Sequence, residues 1–370
     1  MEAGEAFDPS PANIDARTER TALSNGTKLA LLPKENRGNT VVLQGVLRFG
    51  SEADLTDRSD AAGLVGAMLT RGSTTRTREQ ISKRLDELKA QLSLSGGAQS
   101  VTVFATTQRE HLPGLMELIA DLLQHPAFPE SEFEQLRTQS ITDIESQMAE
   151  PEAIAGKAMS RHFSPWAKGH PYYVKSFDES LAAMRAIKLD DLRAFHREFY
   201  GAGQGEFAVV GDFDAAAFKV QAEALFGEWN TPKKFVRIAD PYVEFKTVSE
   251  SAQTPDKANA LILMRTDLPL SDANPDYPAL VAGNYVLGGG MLKSRLADRV
   301  RQKDGLSYSV GSQFSADPLD ENGSLMFYAI AAPENVAKVE AAFREELARL
   351  LKDGVESDEL KDAIDGLLKA

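Results

Sequence analysis

The sequence predicts an α+β fold in which two homologous α/β modules follow one another, each an antiparallel-rich sheet covered by helices. We expect the second module to be truncated at its C-terminus. Three observations support this prediction. The length of 370 residues suits two domains of about 100–200 residues each. A strand followed by a helix occurs twice with the same pattern, and both copies lead into an acidic helix start. The second copy stops at an earlier point of the pattern than the first.

The internal repeat begins at Ser100 in SVTVFATTQREHLPGLMELIADLL and at Ser324 in SLMFYAIAAPENVAKVEAAFREELARLL. In each copy an alternating run, typical of a strand, leads into a segment whose apolar residues share one helical face. These residues are Leu112, Leu115, Ile119 and Leu122 in the first copy and Val336, Val339, Phe343 and Leu347 in the second. The acidic helix starts that follow are FPESEFEQL and VESDELKDA.

The repeat and the proline-rich breaks divide the chain into four predicted parts. They are a polar tail at 1–20, a first module at 21–229, an extended linker at 230–257 and an incomplete second module at 258–370. Within the first module, Thr77 and Gln80 form the pattern of a capping box, which satisfies the first N–H groups of a helix. Asp214 is a predicted N-cap for a helix over Ala215–Phe226.

The composition excludes several classes of function. Lysine and arginine number 41 against 55 acidic residues, giving a net charge of −14 with no basic cluster. This balance argues against nucleic acid or an anionic membrane surface as partner. There is no apolar run long enough for a membrane span, and the N-terminus lacks the pattern of a signal peptide. Cysteine is absent, which excludes disulfides, thiolate zinc sites and cysteine nucleophiles.

Local catalytic motifs are also missing. No two of the five histidines lie three or four residues apart, the spacing that a helical zinc pair requires. We therefore expect His196 to be a helix-surface residue and His170 a hydrogen-bonding residue of a loop. The run GGGMLKS has Leu292 where a phosphate-binding loop needs glycine, and a helical pattern precedes it. The chain shows no self-contained active site.

The order of elements in the tandem modules, with R-x6-Y in the second, resembles the insulinase/pitrilysin (M16) family of zinc metallopeptidases. The resemblance covers essentially the whole chain and is to the C-terminal, proteolytically inactive half. It implies two halves that face one another around a chamber for unfolded peptides. It also implies a partner half or subunit that carries zinc and an intact H-x-x-E-H. Bacterial relatives suggest a periplasmic location.

The resemblance locates the degenerate metal site in DAAGLVGAMLTRGS, residues 60–73. Gly63, Gly66 and Ala67 stand where the family has its first histidine, its glutamate base and its second histidine. Asp143, in SITDIESQ, stands near the distal glutamate ligand. Because the imidazoles and the base are absent, we expect no zinc in this chain and no hydrolysis by the chain alone.

Arg301 and Tyr308, in RQKDGLSY, match the R-x6-Y pair of the family. The resemblance implies that this pair reaches from the inactive half to the zinc site of the active half. A tyrosine hydroxyl and a guanidinium there would stabilise the oxyanion of the tetrahedral intermediate. The plainer interpretation makes Arg301 a solvated cation at a helix C-terminus and Tyr308 a packing aromatic on a strand.

Two further interpretations stay open at the level of sequence. The chain could be a non-catalytic structural or peptide-binding scaffold of the same fold. It could also be a relic of the fold whose arginine and tyrosine point away from any partner. An intact H-x-x-E-H in a partner chain or an upstream region would favour the role in a metallopeptidase.

Overall fold

A computed structural model describes residues 4–290 and 293–369, so Leu292 and the chain end at Ala370 lie outside the described residues. The described residues form two compact units. The first contains the chain up to Asp143 together with Trp166–Tyr173 and Asp178–Ile238. The second contains Ile144–Pro165, Val174–Phe177 and the chain from Ala239 onwards.

The strands belong to two sheets. In chain order they are β1 (Glu19–Ala22), β2 (Lys28–Pro33), β3 (Thr40–Arg48), β4 (Gln91–Gly96), β5 (Ser100–Gln108), β6 (Gly205–Gly211), β7 (Ala260–Leu268), β8 (Ser307–Ala316) and β9 (Gly323–Ala331). The first unit has a six-stranded sheet of order β1-β2-β6-β3-β5-β4, and the second a three-stranded sheet of order β7-β9-β8. Only β2 and β6 pair in parallel among the described ladders.

The α-helices cover these sheets. In chain order they are α1 (Pro11–Arg17), α2 (Glu52–Leu55), α3 (Ser59–Met68), α4 (Arg78–Glu87), α5 (Leu112–Gln124), α6 (Glu130–Gln147), α7 (Pro151–His162), α8 (Phe177–Ala186), α9 (Leu189–Phe199), α10 (Ala215–Phe226), α11 (Tyr277–Asn284), α12 (Val336–Asp353) and α13 (Ser357–Leu367). Two π-helical segments, Tyr285–Gly289 and Ala297–Lys303, lie between α11 and β8. None of the described helices is long and apolar enough to cross a membrane.

The core of the first unit lies between one face of the sheet and the helices. Alternate residues of β3 and β5 are buried, as the two-residue period of a strand dictates. At one end of this core, the ring of Phe49 lies 5.7 Å from Phe195 and 5.3 Å from Tyr200, measured between centroids. These contacts fix α9 against the sheet, and α3 packs between α9 and β4.

The second unit has a smaller core of its own. The rings of Phe327 on β9 and Phe343 on α12 stack with centroids 4.2 Å apart. Leu287, Leu296 and Val300 are fully or almost fully buried beside them. The apolar face of α12 therefore holds the sheet from one side, as its helical spacing predicts.

The strand order confirms the predicted fold class and internal repeat. In the first unit β3 pairs with β5 and β5 with β4, while in the second β7 pairs with β9 and β9 with β8. In the first unit helices lie between β3 and β4 and again after β5. In the second unit helices lie between β7 and β8 and again after β9. The capping box at Thr77 and the N-cap at Asp214 are confirmed as well. The predicted linker 230–257 contains no helix or strand.

Some elements escape the sequence analysis. Helix α1 and part of β1 lie in the predicted polar tail; the helix is short, capped by Ser10 and without buried residues. Helix α7 also buries no residue, so it has no apolar stripe that periodicity could detect. His170 lies in a loop and accepts a hydrogen bond from the Tyr172 amide at its Nδ1, as expected.

His196 is not the helix-surface residue that its position suggested. Its Nε2–H donates to the carbonyl oxygen of Leu123 at 2.8 Å, and its ring lies 4.8 Å from that of Tyr200. Burial lowers the pKa of His196 below its ordinary value of 6.5, and the carbonyl only partly offsets this. The folded environment therefore favours the neutral imidazole over the imidazolium.

This environment predicts a pH-dependent stability. Below pH 6.5 the unfolded chain gains a proton on His196 that the folded chain resists, so the free energy of unfolding falls as the pH falls from 6.5 towards the folded pKa. We expect His196→Gln to flatten this part of the profile, measured by denaturant unfolding across the range. The control is His125→Gln, since the His125 side chain is 60% exposed. Equal pH profiles for the two variants would contradict the assignment.

Candidate functional site

The turn between the π-helical segment Ala297–Lys303 and β8 carries both Arg301 and Tyr308. The Leu306 amide donates back to the Val300 carbonyl at 2.9 Å, which closes the segment. Gly305 then adopts φ +61°, in the left-handed region that favours glycine over residues with a Cβ. This turn reverses the chain so that β8 begins two residues later.

Tyr308 occupies a β-bulge at the start of β8. Ser307 is opposite Ala331 and Ser309 is opposite Ile330, so Tyr308 has no partner residue on β9. The Ser307 hydroxyl lies 2.6 Å from the Ile330 carbonyl oxygen and accepts a hydrogen bond from the Ser309 amide at 3.1 Å. A bulge redirects the side chain of the extra residue, and here it turns Tyr308 outwards.

Both side chains of the R-x6-Y pair are available for contacts. Tyr308 is 64% exposed and Arg301 is exposed. Among the described residues, neither side chain has a hydrogen bond, ion pair or ring partner. The neighbouring cations are paired, since Arg299 contacts Asp304 at 2.7 Å and Lys303 contacts Asp298 at 2.6 Å. Most of the Tyr308 side chain is therefore open to solvent.

A buried ion pair secures the segment that precedes this turn. Arg295, with 7% of its side chain exposed, donates from Nε and Nη2 to both carboxylate oxygens of Glu359 at 2.8 and 2.6 Å. The same Nη2 donates to the carbonyl oxygen of Gly354 at 2.9 Å. The hydrogen bonds from Arg295 lower the pKa of Glu359, so the bidentate pair stays charged and ties α13 to the chain before Ala297.

Helix α3 carries Gly63, Gly66 and Ala67, the three positions where the resemblance leads us to expect a degenerate zinc motif. Gly63 and Ala67 lie four residues apart, on the same exposed side of the helix. Gly66 is buried and packs directly on β4, where a Cβ at this position would lie 2.1 Å from the Gly96 backbone nitrogen. None of the three side chains has a donor atom for a metal. Within residues 4–290 and 293–369, no group of three His, Cys, Asp or Glu side chains could hold a metal ion.

Asp143, which the resemblance placed near the distal ligand, lies near the end of α6 and is exposed. Its carboxylate accepts a hydrogen bond from Gln139 Nε2, one helical turn earlier, at 2.7 Å. The structure thus places Arg301 and Tyr308 on one turn of the second unit, and Gly63, Gly66 and Ala67 on one helix of the first.

Two features of these sites are not apparent from the sequence. One is the bulge at Tyr308, which depends on how β8 pairs with β9. The other is the close contact of Gly66 with Gly96, which joins glycines that are distant in sequence. This contact could be predicted only if the position of α3 on β4 were already known.

Comparison with family models finds two matches. A model described as "Insulinase (Peptidase family M16)" matches residues 31–165. A model described as "Peptidase M16 inactive domain" matches residues 186–367. The two models belong to one family, and together they span most of both units.

Several curated bacterial proteins are similar over most of their length. An uncharacterized zinc protease of Bacillus subtilis, YmxG, is 24% identical over 347 residues, covering 93% of this chain and 81% of that protein. An uncharacterized zinc protease of Rickettsia felis is 22% identical, with coverage of 84% and 73%. One from Mycobacterium tuberculosis is 25% identical, with coverage of 91% and 75%.

Solved structures share the fold. The peptidase M16 inactive domain from Pseudomonas fluorescens superposes with a TM-score of 0.80 at 22% identity, covering 95% of this chain and 83% of that one. A protease from Helicobacter pylori gives a TM-score of 0.77 at 18% identity, with coverage of 94% and 82%. The periplasmic protease PqqL from Escherichia coli also gives 0.77 at 15% identity, covering 100% of this chain but 39% of that one.

The contact of α3 with β4 generates a test with an internal control. We expect Gly66→Ala to destabilise the chain by about 1–3 kcal/mol, because the added methyl overpacks a backbone contact. Gly63→Ala should instead stabilise it by about 0.5–1 kcal/mol, because nothing lies within 4 Å of a Cβ there and alanine favours the helix. Denaturant unfolding measures both; a stabilising effect at Gly66 would show that α3 and β4 do not approach this closely.

Proposed function

Because the chain belongs to the M16 (insulinase) peptidase family, we propose that it is the non-hydrolytic half or subunit of a zinc metalloendopeptidase. In this role it completes a chamber for unfolded peptides and supplies Arg301 and Tyr308 to the zinc site of a partner that carries H-x-x-E-H. The observation that carries the proposal is the outward-facing Tyr308 on its bulge, which has no partner among the described residues.

The residues of α3 support a non-hydrolytic role. Gly63, Gly66 and Ala67 occupy the positions of two imidazole ligands and a carboxylate base, and zinc needs such donors. At Gly66 the backbone of β4 also leaves no space for a glutamate side chain. We therefore interpret α3 as a degenerate zinc-binding helix. On this interpretation the described residues of α3 offer zinc no ligand, and the hydrolytic centre belongs to the partner.

The comparisons support a role as one of two halves. Members of the family work as paired halves or subunits, and the part of the chain that carries Arg301 and Tyr308 matches the model described as an inactive domain. The chain aligns along its whole length with only 39% of PqqL, which leaves room in that protein for a second half.

The two side chains would act on charge that develops at the peptide carbonyl during hydrolysis. The Tyr308 hydroxyl donates a hydrogen bond to the carbonyl oxygen as it becomes negative, and the Arg301 guanidinium supplies a fixed positive charge beside it. Such groups accelerate the reaction when they contact the transition state more strongly than the substrate. The bulge and the ion pair of Arg295 hold the turn in place before substrate arrives, so little reorganisation is needed.

The first prediction of this proposal concerns metal content. The chain purified alone should contain no stoichiometric zinc and should not cleave unstructured peptides, because α3 lacks the ligands and the base. Elemental analysis and a fluorogenic peptide assay measure this. One zinc per chain that is lost on substitution of His162 or His170 would overturn it.

The second prediction concerns the hydroxyl of Tyr308. In the enzyme reconstituted with its H-x-x-E-H partner, Tyr308→Phe should lower kcat by about 10²–10³, the typical loss for one oxyanion donor. Zinc content and melting temperature should stay at the wild-type values, because the side chain is 64% exposed.

A matched control for this experiment is Tyr277→Phe, which removes a hydroxyl from the same unit while the ring keeps its contact with Phe314. It should leave turnover unchanged. If Tyr308→Phe also leaves turnover unchanged, the chain is a scaffold without a catalytic contribution from this residue.

A further inference from the structure

A surface pocket of about 630 Å³ lies against α7 in the second unit. Its size falls within the range of about 300–1,000 Å³ that is usual for ligand pockets. One wall is a stripe of α7 that includes Ile154, Lys157 and Arg161, spaced so that they share one face of the helix. Met148 and Phe177 also line the pocket. We call this site the α7 pocket.

Positive side chains outnumber negative ones in the lining of the α7 pocket. Lys157 and Arg161 line it, although the chain as a whole has a net charge of −14. The acidic residue among the lining is Glu250, which is exposed. The local sign of charge is therefore opposite to that of the protein, which favours an anionic ligand.

Lys157 is the cation whose placement is hardest to explain by folding alone. Arg161 lies in the last turn of α7, where a cation stabilises the helix dipole. Lys157 lies further from that end, and its Nζ is 5.2 Å from the centroid of the Phe177 ring. Among the described residues it has no carboxylate partner. The ring therefore fixes the ammonium at the pocket without neutralising it.

Apolar side chains complete the pocket. Met148, Ile154 and Phe177 line it beside the cations, and no residue of α7 is buried by the rest of the described chain. A ligand that combines a carboxylate with a neighbouring apolar group matches both halves of this lining. An extended peptide provides that combination at its C-terminus or at an acidic residue next to an apolar one.

We propose that the α7 pocket binds a carboxylate of the peptide substrate, with Lys157 as its principal charged contact and the apolar wall holding the adjacent side chain. The proposal rests on the proposed function, which provides unfolded peptides as substrates, and it adds a selectivity for peptides with a suitably placed carboxylate. It assigns Lys157 to binding and not to the hydrolytic step.

The test measures peptide binding to the complete chain alone, by fluorescence anisotropy, so no partner or turnover is needed. Three labelled peptides of one apolar, unstructured sequence are compared: a free C-terminal acid, its C-terminal amide, and the amide with one glutamate near its end. We expect the free acid or the glutamate peptide to bind about tenfold more tightly than the plain amide. Whichever of the two binds tightly identifies the source of the carboxylate.

The substitution Lys157→Met should remove that difference and leave the plain amide unaffected. Its matched control is Lys338→Met on α12, an exposed lysine whose loss changes the net charge equally. Equal losses in the two variants would overturn the proposal in favour of a general charge effect. Failure of all three peptides to bind, or equal binding of acid and amide, would also overturn it. The effect of Tyr308→Phe on turnover is independent of these results and tests the proposed function separately.

Discussion

The presentation of Tyr308 depends on one irregularity in the ladder between β8 and β9. Where Ser307 and Ser309 face consecutive residues of β9, the residue between them loses its partner and turns away from the sheet. Gly305 supplies the left-handed turn that brings Arg301 to the same end of the strand. In a regular ladder Tyr308 would pair with a residue of β9, and its ring would pack on the neighbouring side chains of the sheet. The irregularity thus converts an ordinary strand residue into an exposed hydroxyl held on a fixed backbone.

The two units share an order of strands but differ in the residues that they place between the first two of these strands. In the first, α3 lies so close to β4 that Gly66 and Gly96 touch through their backbones, which leaves no space for a larger side chain at Gly66. In the second, the corresponding region between the first two strands contains π-helical turns, and it presents Arg301 instead. Under the proposed function, the first module has lost its metal ligands, and the chain contributes to catalysis through Arg301 and Tyr308 of the second module.

Much of the fold follows from local patterns, and the departures have physical causes. The strands at Ser100 and Ser324, the capping box at Thr77 and the resemblance that singled out Arg301 and Tyr308 all depend on residues close in sequence. Helix α7 buries no residue, so the periodicity of apolar residues does not predict it. His196 looked like a surface residue because its partner, the Leu123 carbonyl, comes from a distant helix. The bulge is likewise set by the register of β8 on β9, which no single segment encodes.

Under the proposed function, Tyr308 acts on the transition state of a reaction at a partner's metal site. A direct test compares the affinity of the reconstituted enzyme for a phosphinic peptide, whose tetrahedral anion resembles the transition state, with its affinity for the matching substrate. We expect Tyr308→Phe to weaken binding of the phosphinic peptide by about 10²-fold while substrate affinity is unchanged. If the variant binds the phosphinic peptide as tightly as the wild type, Tyr308 does not stabilise the developing charge.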